Sequence, residues 1–168
     1  MAMFVHLTAE KNLNSILRNG VSRLRKKSNQ PSGVFAAPVT RNYFASHQWL
    51  RELKRKGQGS ILGIYFRVPD DEIVWVGHYG QAHQEMTAAE AIGVMMNAEQ
   101  KEGFEVIIPR KIAAKEIHRY KTIPQVVGWR YYPGANGKKP FCGCDYCQRG
   151  KYRAKRLREQ YEKQFSPA

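Results

Sequence analysis

The chain has 168 residues, enough for one domain with a buried core and a small appendage. It contains 28 lysines and arginines but only 14 aspartates and glutamates, which gives a net charge of +14. A net charge that serves solubility alone is usually smaller, so this value indicates a polyanionic partner, most simply nucleic acid. No apolar run reaches membrane-spanning length and the first residues lack a secretory-signal pattern, so we expect a cytoplasmic protein with no membrane partner.

The N-terminal stretch predicts a strand that is followed directly by a helix. Residues 4–7 form a short apolar run that contains His6, and the helix after it has one apolar face, made by Leu13, Ile16 and Leu17. We expect Thr8 to cap this helix and Asn19-Gly20 to end it. By residue type alone, a buried core histidine explains His6 equally well.

The middle of the chain alternates between loops, strands and a helix. A basic loop at 23–27 leads to a short strand at 33–37. A helix is predicted at 41–56, and glycines at its end stop it. Residues 61–68 are rich in branched and aromatic side chains, which predicts a strand, and a turn with a second extended run at 72–76 follows.

A second helix and two more strands are predicted after a polar loop at 78–84. Thr87 is expected to cap the helix at 88–100, whose apolar side includes Ile92, Met95 and Met96. Residues 103–109 predict a strand that carries Glu105 in an apolar setting, and 115–120 its partner strand. This order predicts an α+β fold with two small packed sheets and helices at the margin.

The composition changes near residue 123, so we expect one domain over 1–122 and an aromatic, basic extension over 123–168. The three cysteines of the chain lie close together in this extension, at Cys142, Cys144 and Cys147. An odd, clustered set indicates a reducing compartment, and three thiolates could hold zinc with His118 or Asp145 as the fourth ligand. The alternative is three reduced, packed thiols.

A basic helix is predicted at 151–164, after the cysteines. Basic side chains that bind phosphates stand here among aromatic side chains that stack on bases. The pattern predicts a nucleic-acid contact made by Arg149, Lys151, Tyr152, Arg153, Lys155 and Arg156. The alternative is a solvated tail helix.

Three short motifs occur in a telling order, namely His6-Leu7-Thr8, Gly33-Val34-Phe35 and a late strand with Glu105. Their order resembles the His–Tyr–Glu branch of the ADP-ribosyltransferase superfamily, which includes diphtheria-toxin-like enzymes, poly-ADP-ribose polymerases and DarT-type nucleic-acid modifiers. The opening stretch looks most like the DarT type, and residues 33–36 look like the polymerase pattern Gly-Ile-Tyr-Phe. The strand at 104–108 resembles the one that carries the catalytic glutamate of the family. The resemblance covers about residues 4–120.

The resemblance implies a split two-sheet core and transfer of ADP-ribose from NAD to RNA or DNA. Glu105 would be the catalytic carboxylate, and NAD would be bound by His6, Leu7, Thr8, Phe35 and Arg41. In the family, such an enzyme that modifies the nucleic acid of its own cell is a toxin or an anti-phage effector, and it needs an antitoxin partner.

The sequence departs from the family pattern at two positions, and other functions stay open. Phe35 replaces the usual tyrosine, and Gly103 stands where arginine-modifying members have Glu or Gln, which argues against protein arginine as acceptor. The polar loop offers candidates for acceptor recognition or proton transfer, or no role at all: His78, Tyr79, His83, Gln84 and Glu85. Alternatives are an NAD-dependent RNA 2′-phosphotransferase, a non-catalytic nucleic-acid-binding protein and a protein-directed transferase. Taken singly, Glu105 could be a solvated carboxylate, Phe35 a core residue and Arg41 a surface charge.

Overall fold

The computed structural model of the chain describes residues 1–22, 31–55 and 59–125. The predicted basic loop at 23–27 lies outside the described residues. So do the cysteine cluster, the predicted basic helix and nearly all of the proposed extension over 123–168.

Within the described residues, seven strands form one sheet in which every neighbouring pair is antiparallel. The strands are β1 (Ala2–Ala9), β2 (Val34–Pro38), β3 (Ile61–Val68), β4 (Ile73–His78), β5 (Gln84–Thr87), β6 (Phe104–Ile108) and β7 (Ile117–Thr122). Their order across the sheet is β5-β4-β6-β2-β1-β3-β7. The helices are α1 (Leu13–Asn19), α2 (Tyr43–Ser46), α3 (Leu50–Arg55) and α4 (Ala88–Asn97). The predicted α+β class is confirmed.

The sheet has a narrow join between β1 and β2. Only Phe4 with Pro38 and Val5 with Ala37 pair across it, whereas β1 and β3 pair along eight positions from Ala2 to Ala9. The expected pair of packed sheets is therefore wrong in this respect, because the two halves are continuous. Beyond Val5, β1 and β2 nevertheless do not pair with each other. The gap between the two strands is called the opening, and the candidate site lies beside it.

Apolar side chains cover both faces of the sheet. One face carries Phe4, Phe66 and Phe104, which pack with Ile16 of α1 and Met95 of α4. The opposite face holds two smaller apolar clusters. One contains Val5, Ala37 and Tyr65, and the other contains Leu50 and Ile61. Because side chains alternate along a strand, neighbours of these residues fall on the other face.

The helix predicted at 41–56 is wrong as one element, because the structure breaks it into α2 and α3. Asn42 caps α2 by accepting a hydrogen bond from the Ala45 amide. At the break, His47, Gln48 and Trp49 bond to strands and loops elsewhere in the fold. These tertiary hydrogen bonds, which no helical pattern contains, outweigh the propensity for one long helix.

Other differences are local. Thr8 lies inside β1 and caps no helix, because the strand runs two residues further than predicted. Leu17 and Met96 are exposed, although both were placed on apolar faces. Strand β5 falls on residues that the sequence assigned to a polar loop and a cap. Thr87 does cap α4, in a capping box with Glu90, and β3 has the predicted bounds.

Candidate active site

Glu105 is a buried carboxylate near the start of β6. It lies on the sheet face opposite to its neighbour Phe104, and it pairs across the strands with Gly77 of β4. The residue is 6% exposed. Burial raises the pKa of its carboxyl group to about 7. The alternative of a solvated edge carboxylate is therefore wrong for Glu105, whose strand is interior to the sheet.

The imidazole of His83 lies against this carboxylate. His83 Nε2 is 3.3 Å from Glu105 Oε2, and the two side chains are 2% and 8% exposed. Neither atom has a hydrogen-bond partner among the described residues. Burial also lowers the pKa of His83. Two buried groups that both disfavour their charged forms, placed at this distance, can share one proton.

Gly77 makes room for this contact. A Cβ atom at position 77 would lie 2.9 Å from the Ala82 carbonyl oxygen and 3.0 Å from Cγ of His83. The loop between β4 and β5 therefore folds back over Gly77, directly across the ladder from Glu105. A glycine inside a strand often marks such a close approach, and it is the signal by which sequence reasoning could have found this position.

Side chains from the break between α2 and α3 hold the backbone just before Glu105. The buried amide of Gln48 accepts a 2.6 Å hydrogen bond from the Gly103 N–H and donates a 2.7 Å bond to the Lys101 carbonyl. The indole N–H of Trp49 donates to the Phe104 carbonyl at 2.9 Å. Sequence reasoning missed Gln48 and Trp49, since nothing local marks them as partners of a strand about 55 residues away.

The opening between β1 and β2 exposes backbone groups on facing edges. Val39 N–H donates to the Met3 carbonyl across this edge, so the odd-numbered residues of β1 direct their backbone groups toward β2. Leu7 and Phe35 would form the next pair in register, but pairing stops at Val5 and Ala37. The backbone groups of Leu7 and Phe35 therefore point into the opening.

His6 bridges this opening with its side chain. Its Nδ1 lies 2.7 Å from the Phe35 carbonyl oxygen, and because a carbonyl only accepts, Nδ1 carries the proton. Burial lowers the pKa of His6, and the hydrogen bond to Phe35 opposes that effect more weakly. The neutral ring then presents its other nitrogen, Nε2, as an acceptor.

The register relates the opening to Glu105. Phe35 of β2 pairs with Ile107 of β6, and Ala36 pairs with Val106. Continued by one residue, this register brings Ala37 beside Glu105. Two strand spacings separate β1 from β6, or about 10 Å. The carboxylate thus lies in the cross-strand row next to the one where β1 and β2 part.

The remaining predicted binding residues differ in how far they join this group. Thr8 is buried and its hydroxyl accepts a 3.1 Å hydrogen bond from Asn12. Arg41 is exposed before α2, and within the described residues no contact joins it to His6, Phe35 or Glu105. Its predicted pairing with a pyrophosphate stays a prediction.

Of the five loop candidates, His83 is the one that contacts Glu105. His78 Nε2 lies 3.0 Å from the Gln100 carbonyl oxygen, and the ring of Tyr79 lies 5.5 Å from that of Trp49. Gln84 and Glu85 are exposed on the edge strand β5.

The predicted metal and nucleic-acid residues of the extension lie outside the described residues. This holds for the metal ligands Cys142, Cys144 and Cys147 and for the phosphate and base contacts Arg149, Lys151, Tyr152, Arg153, Lys155 and Arg156. In the described part of the chain, no three His, Cys, Asp or Glu side chains form a group that could hold a metal ion.

Comparisons with known proteins give no relative. No protein-family model matches the chain, and no curated protein and no solved structure matches it significantly. None of the described helices combines the length and the apolar character needed to cross a membrane.

Proposed function

We propose that the chain is an NAD-dependent ADP-ribosyltransferase that modifies nucleic acid. The observation that carries the proposal is the buried Glu105 carboxyl group, whose Oε2 accepts no hydrogen bond within the described residues, beside the opening bridged by His6, in the chain order of the family that the sequence resembles. In this proposal the narrow β1–β2 join of the continuous sheet stands where that family has the division between its two sheets. A toxin or anti-phage role, with an antitoxin partner, belongs to the same proposal.

The opening offers groups that fit a primary carboxamide. Leu7 directs its backbone N–H and C=O groups into it, whereas the Phe35 carbonyl already accepts from His6, and a carboxamide needs both a donor and an acceptor. The Nε2 atom of His6 would accept a hydrogen bond from a ribose hydroxyl. The ring of Phe35, which is half-buried, would offer a stacking face in place of the usual tyrosine. These donors and acceptors fit NAD. Its nicotinamide–ribose bond would break, nicotinamide would leave, and the ADP-ribosyl group would pass to the acceptor.

The ionised form of Glu105 is the form that would act. A carboxylate beside a ribose accepts a hydrogen bond from a hydroxyl and stabilises the positive charge that develops as a glycosidic bond breaks. Because its pKa is about 7, Glu105 is roughly half ionised at neutral pH. His83, whose Nε2 lies 3.3 Å from Oε2, would take the proton of an incoming acceptor.

Nucleic acid is the acceptor class that the charge favours. The net charge of +14 attracts a polyanion, and Gly103 lacks the side chain that arginine-modifying members carry two residues before the glutamate. The choice between RNA and DNA is left to the experiment.

The test is labelling with biotinylated NAD. Total RNA, genomic DNA and lysate protein are offered in parallel to the wild-type chain, to Glu105→Gln and to a matched control, Glu99→Gln, which alters an exposed carboxyl group. We expect label on one nucleic acid with wild type and with Glu99→Gln, and none with Glu105→Gln.

Other outcomes assign the chain to the alternatives. Label on protein alone would keep the transferase and overturn the acceptor. NAD consumption that removes a 2′-phosphate from RNA would indicate the phosphotransferase. No label and no NAD consumption, with RNA bound equally by all three proteins, would leave a non-catalytic binding protein and refute the proposal.

A further inference from the structure

Among the described strands, β7 is an outer edge of the sheet with an unusual surface. Within residues 1–22, 31–55 and 59–125 it pairs with β3 alone, and its last five residues, His118 to Thr122, are all exposed. Those residues combine basic and aromatic side chains with no apolar aliphatic one. In the part of the chain that the structure describes, its far edge therefore presents backbone groups without a strand partner, together with side chains that can bind a charged partner.

The two kinds of side chain lie on opposite faces of β7. Arg119 pairs with Tyr65 and Lys121 with Gly63, so both cations share one face. The guanidinium of Arg119 lies 5.1 Å from the centre of the Tyr65 ring, which holds it in place. Tyr120 is on the other face and is 51% exposed.

The positive charge of this edge is uncompensated in the described part of the chain. No carboxylate there lies within ion-pair distance of Arg119 or Lys121. Glu116, just before the strand, is bound to Arg110 at 2.7 Å. A third exposed cation, Arg67, stands on the same face of the neighbouring strand β3.

The edge leads directly into a basic part of the chain. After β7, the side-chain amide of Gln125 bonds to both backbone groups of Ile61, at 2.9 and 2.6 Å, and so fixes the chain beside β3. The 43 residues that follow contain 10 lysines and arginines and 3 aspartates and glutamates. The basic sequence thus begins at a fixed point beside the basic edge.

We propose that the β7 edge, formed by Arg119, Tyr120 and Lys121, binds single-stranded nucleic acid. Cations on one face suit phosphates, and an exposed tyrosine suits stacking on a base. Lysines on edge strands also prevent sheets from pairing, but an exposed tyrosine and histidine serve that purpose poorly. This inference rests on the proposed function, because it names the surface that would hold the acceptor.

The two cations of the edge share a sheet face with the candidate active site, whereas Tyr120 lies on the other face. Cross-strand pairing relates Arg119 to Tyr65, Tyr65 to Val5 and Val5 to Ala37, and Ala37 is next to Glu105 in register. Four strand spacings separate β7 from β6, or about 19 Å. A strand bound at the edge would therefore reach Glu105 only with nucleotides several positions away from those it anchors.

The experiment measures binding of a fluorescent single-stranded RNA of mixed sequence across a range of salt concentrations. It uses the full chain carrying Glu105→Gln and no NAD, so that a failed transferase proposal leaves the result readable. Arg119→Gln with Lys121→Gln should reduce the negative slope of log K against log salt by about 1.4, which is about 25-fold in affinity at about 0.1 M salt. Tyr120→Ala should weaken binding and leave the slope unchanged.

The matched control is the double variant Lys11→Gln with Arg18→Gln. It removes one cation just before α1 and one within α1, the helix that packs on the sheet face opposite to Arg119 and Lys121. It should bind like the parent protein. Lys121→Gln alone is the second variant, because it leaves in place the contact of Arg119 with the Tyr65 ring. An equal loss in test and control would show net charge only and overturn the proposal. Unchanged RNA binding would also overturn the proposal. That conclusion holds even if the variants lose binding to an oligoglutamate peptide, used as a probe for an acidic protein partner, or begin to self-associate through the edge.

Discussion

Replacing the buried Glu105 with glutamine should stabilise the fold at neutral and higher pH. Glutamine keeps the size of the side chain and removes the charge. Glu105 is 6% exposed, and within the described residues the oxygen that approaches His83 accepts no hydrogen bond. A carboxylate in such a setting is less stable than its protonated form, so ionisation of Glu105 opposes folding.

The size and sign of the effect follow from the pKa of Glu105. Its ordinary value is 4.5, which we take for the unfolded chain, and in the fold it is raised to about 7. Between these values the folded state keeps a proton that the unfolded state has lost, so stability falls as pH rises. The interval of 2.5 units corresponds to about 3 kcal/mol. The loss begins near the unfolded pKa and is complete once the pH passes the folded one.

The assay is denaturant unfolding of wild type and Glu105→Gln at several values from about pH 5 to about pH 8. The free energy of unfolding of the variant minus that of wild type should rise by about 3 kcal/mol across the range. Glu99→Gln, which makes the same chemical change at an exposed side chain, is measured alongside as the control.

Two results would refute the reasoning. A difference that stays constant with pH would mean that Glu105 titrates alike in the folded and unfolded chains. A difference that falls with pH would mean that Glu105 is ionised and paired with a protonated His83, since a carboxylate with a depressed pKa adds stability above its unfolded pKa. In that case the two groups form an ion pair, and the neutral arrangement is wrong.

Three further predictions concern the same site. Transferase activity should rise with pH through about 7, because ionised Glu105 is the active form; a rate that falls across this range would contradict the assignment. Gly77→Ala should displace His83, destabilise the fold by about 1–3 kcal/mol in denaturant unfolding and reduce labelling; an unchanged rate would mean that His83 has no role. Gln48→Ala should cost about 1–3 kcal/mol, because Gly103 loses the acceptor of its N–H; unchanged stability would show that this bond is replaced.

The strands were predictable where a run of residues is buried on one or both faces. Residues 61–68 have the bounds of β3, and the apolar run around Glu105 is the interior strand β6. Thr87 was predictable as a cap because the signal is local, a threonine three residues before Glu90. In these segments local pattern and tertiary structure agree.

The broken helix and the contact between His83 and Glu105 were missed for one reason, which is bonding between distant segments. His47 sits at the break between α2 and α3 because its ring bonds to Tyr65 at 2.8 Å and stacks on Tyr43. Burial is the main cause that lowers the pKa of His47 to about 4, which keeps it a neutral acceptor for the Tyr65 hydroxyl. No helical periodicity encodes that contact. The sequence likewise indicates His83 and Glu105 as separate candidates. Their contact depends on the loop that folds over Gly77, which no local pattern encodes.

Two features that lower stability lie side by side in this sheet. Glu105 is a buried carboxylate with an oxygen that lacks a hydrogen-bond partner among the described residues, and the next cross-strand row is the one where Leu7 and Phe35 fail to pair. A glutamine would relieve the first, and one more ladder pair would relieve the second, each by about 1–3 kcal/mol. Folding alone gives no reason to keep both in adjacent rows. Binding does, because a ligand that supplies a hydroxyl to the carboxylate and a carboxamide to the open edge would satisfy both at once.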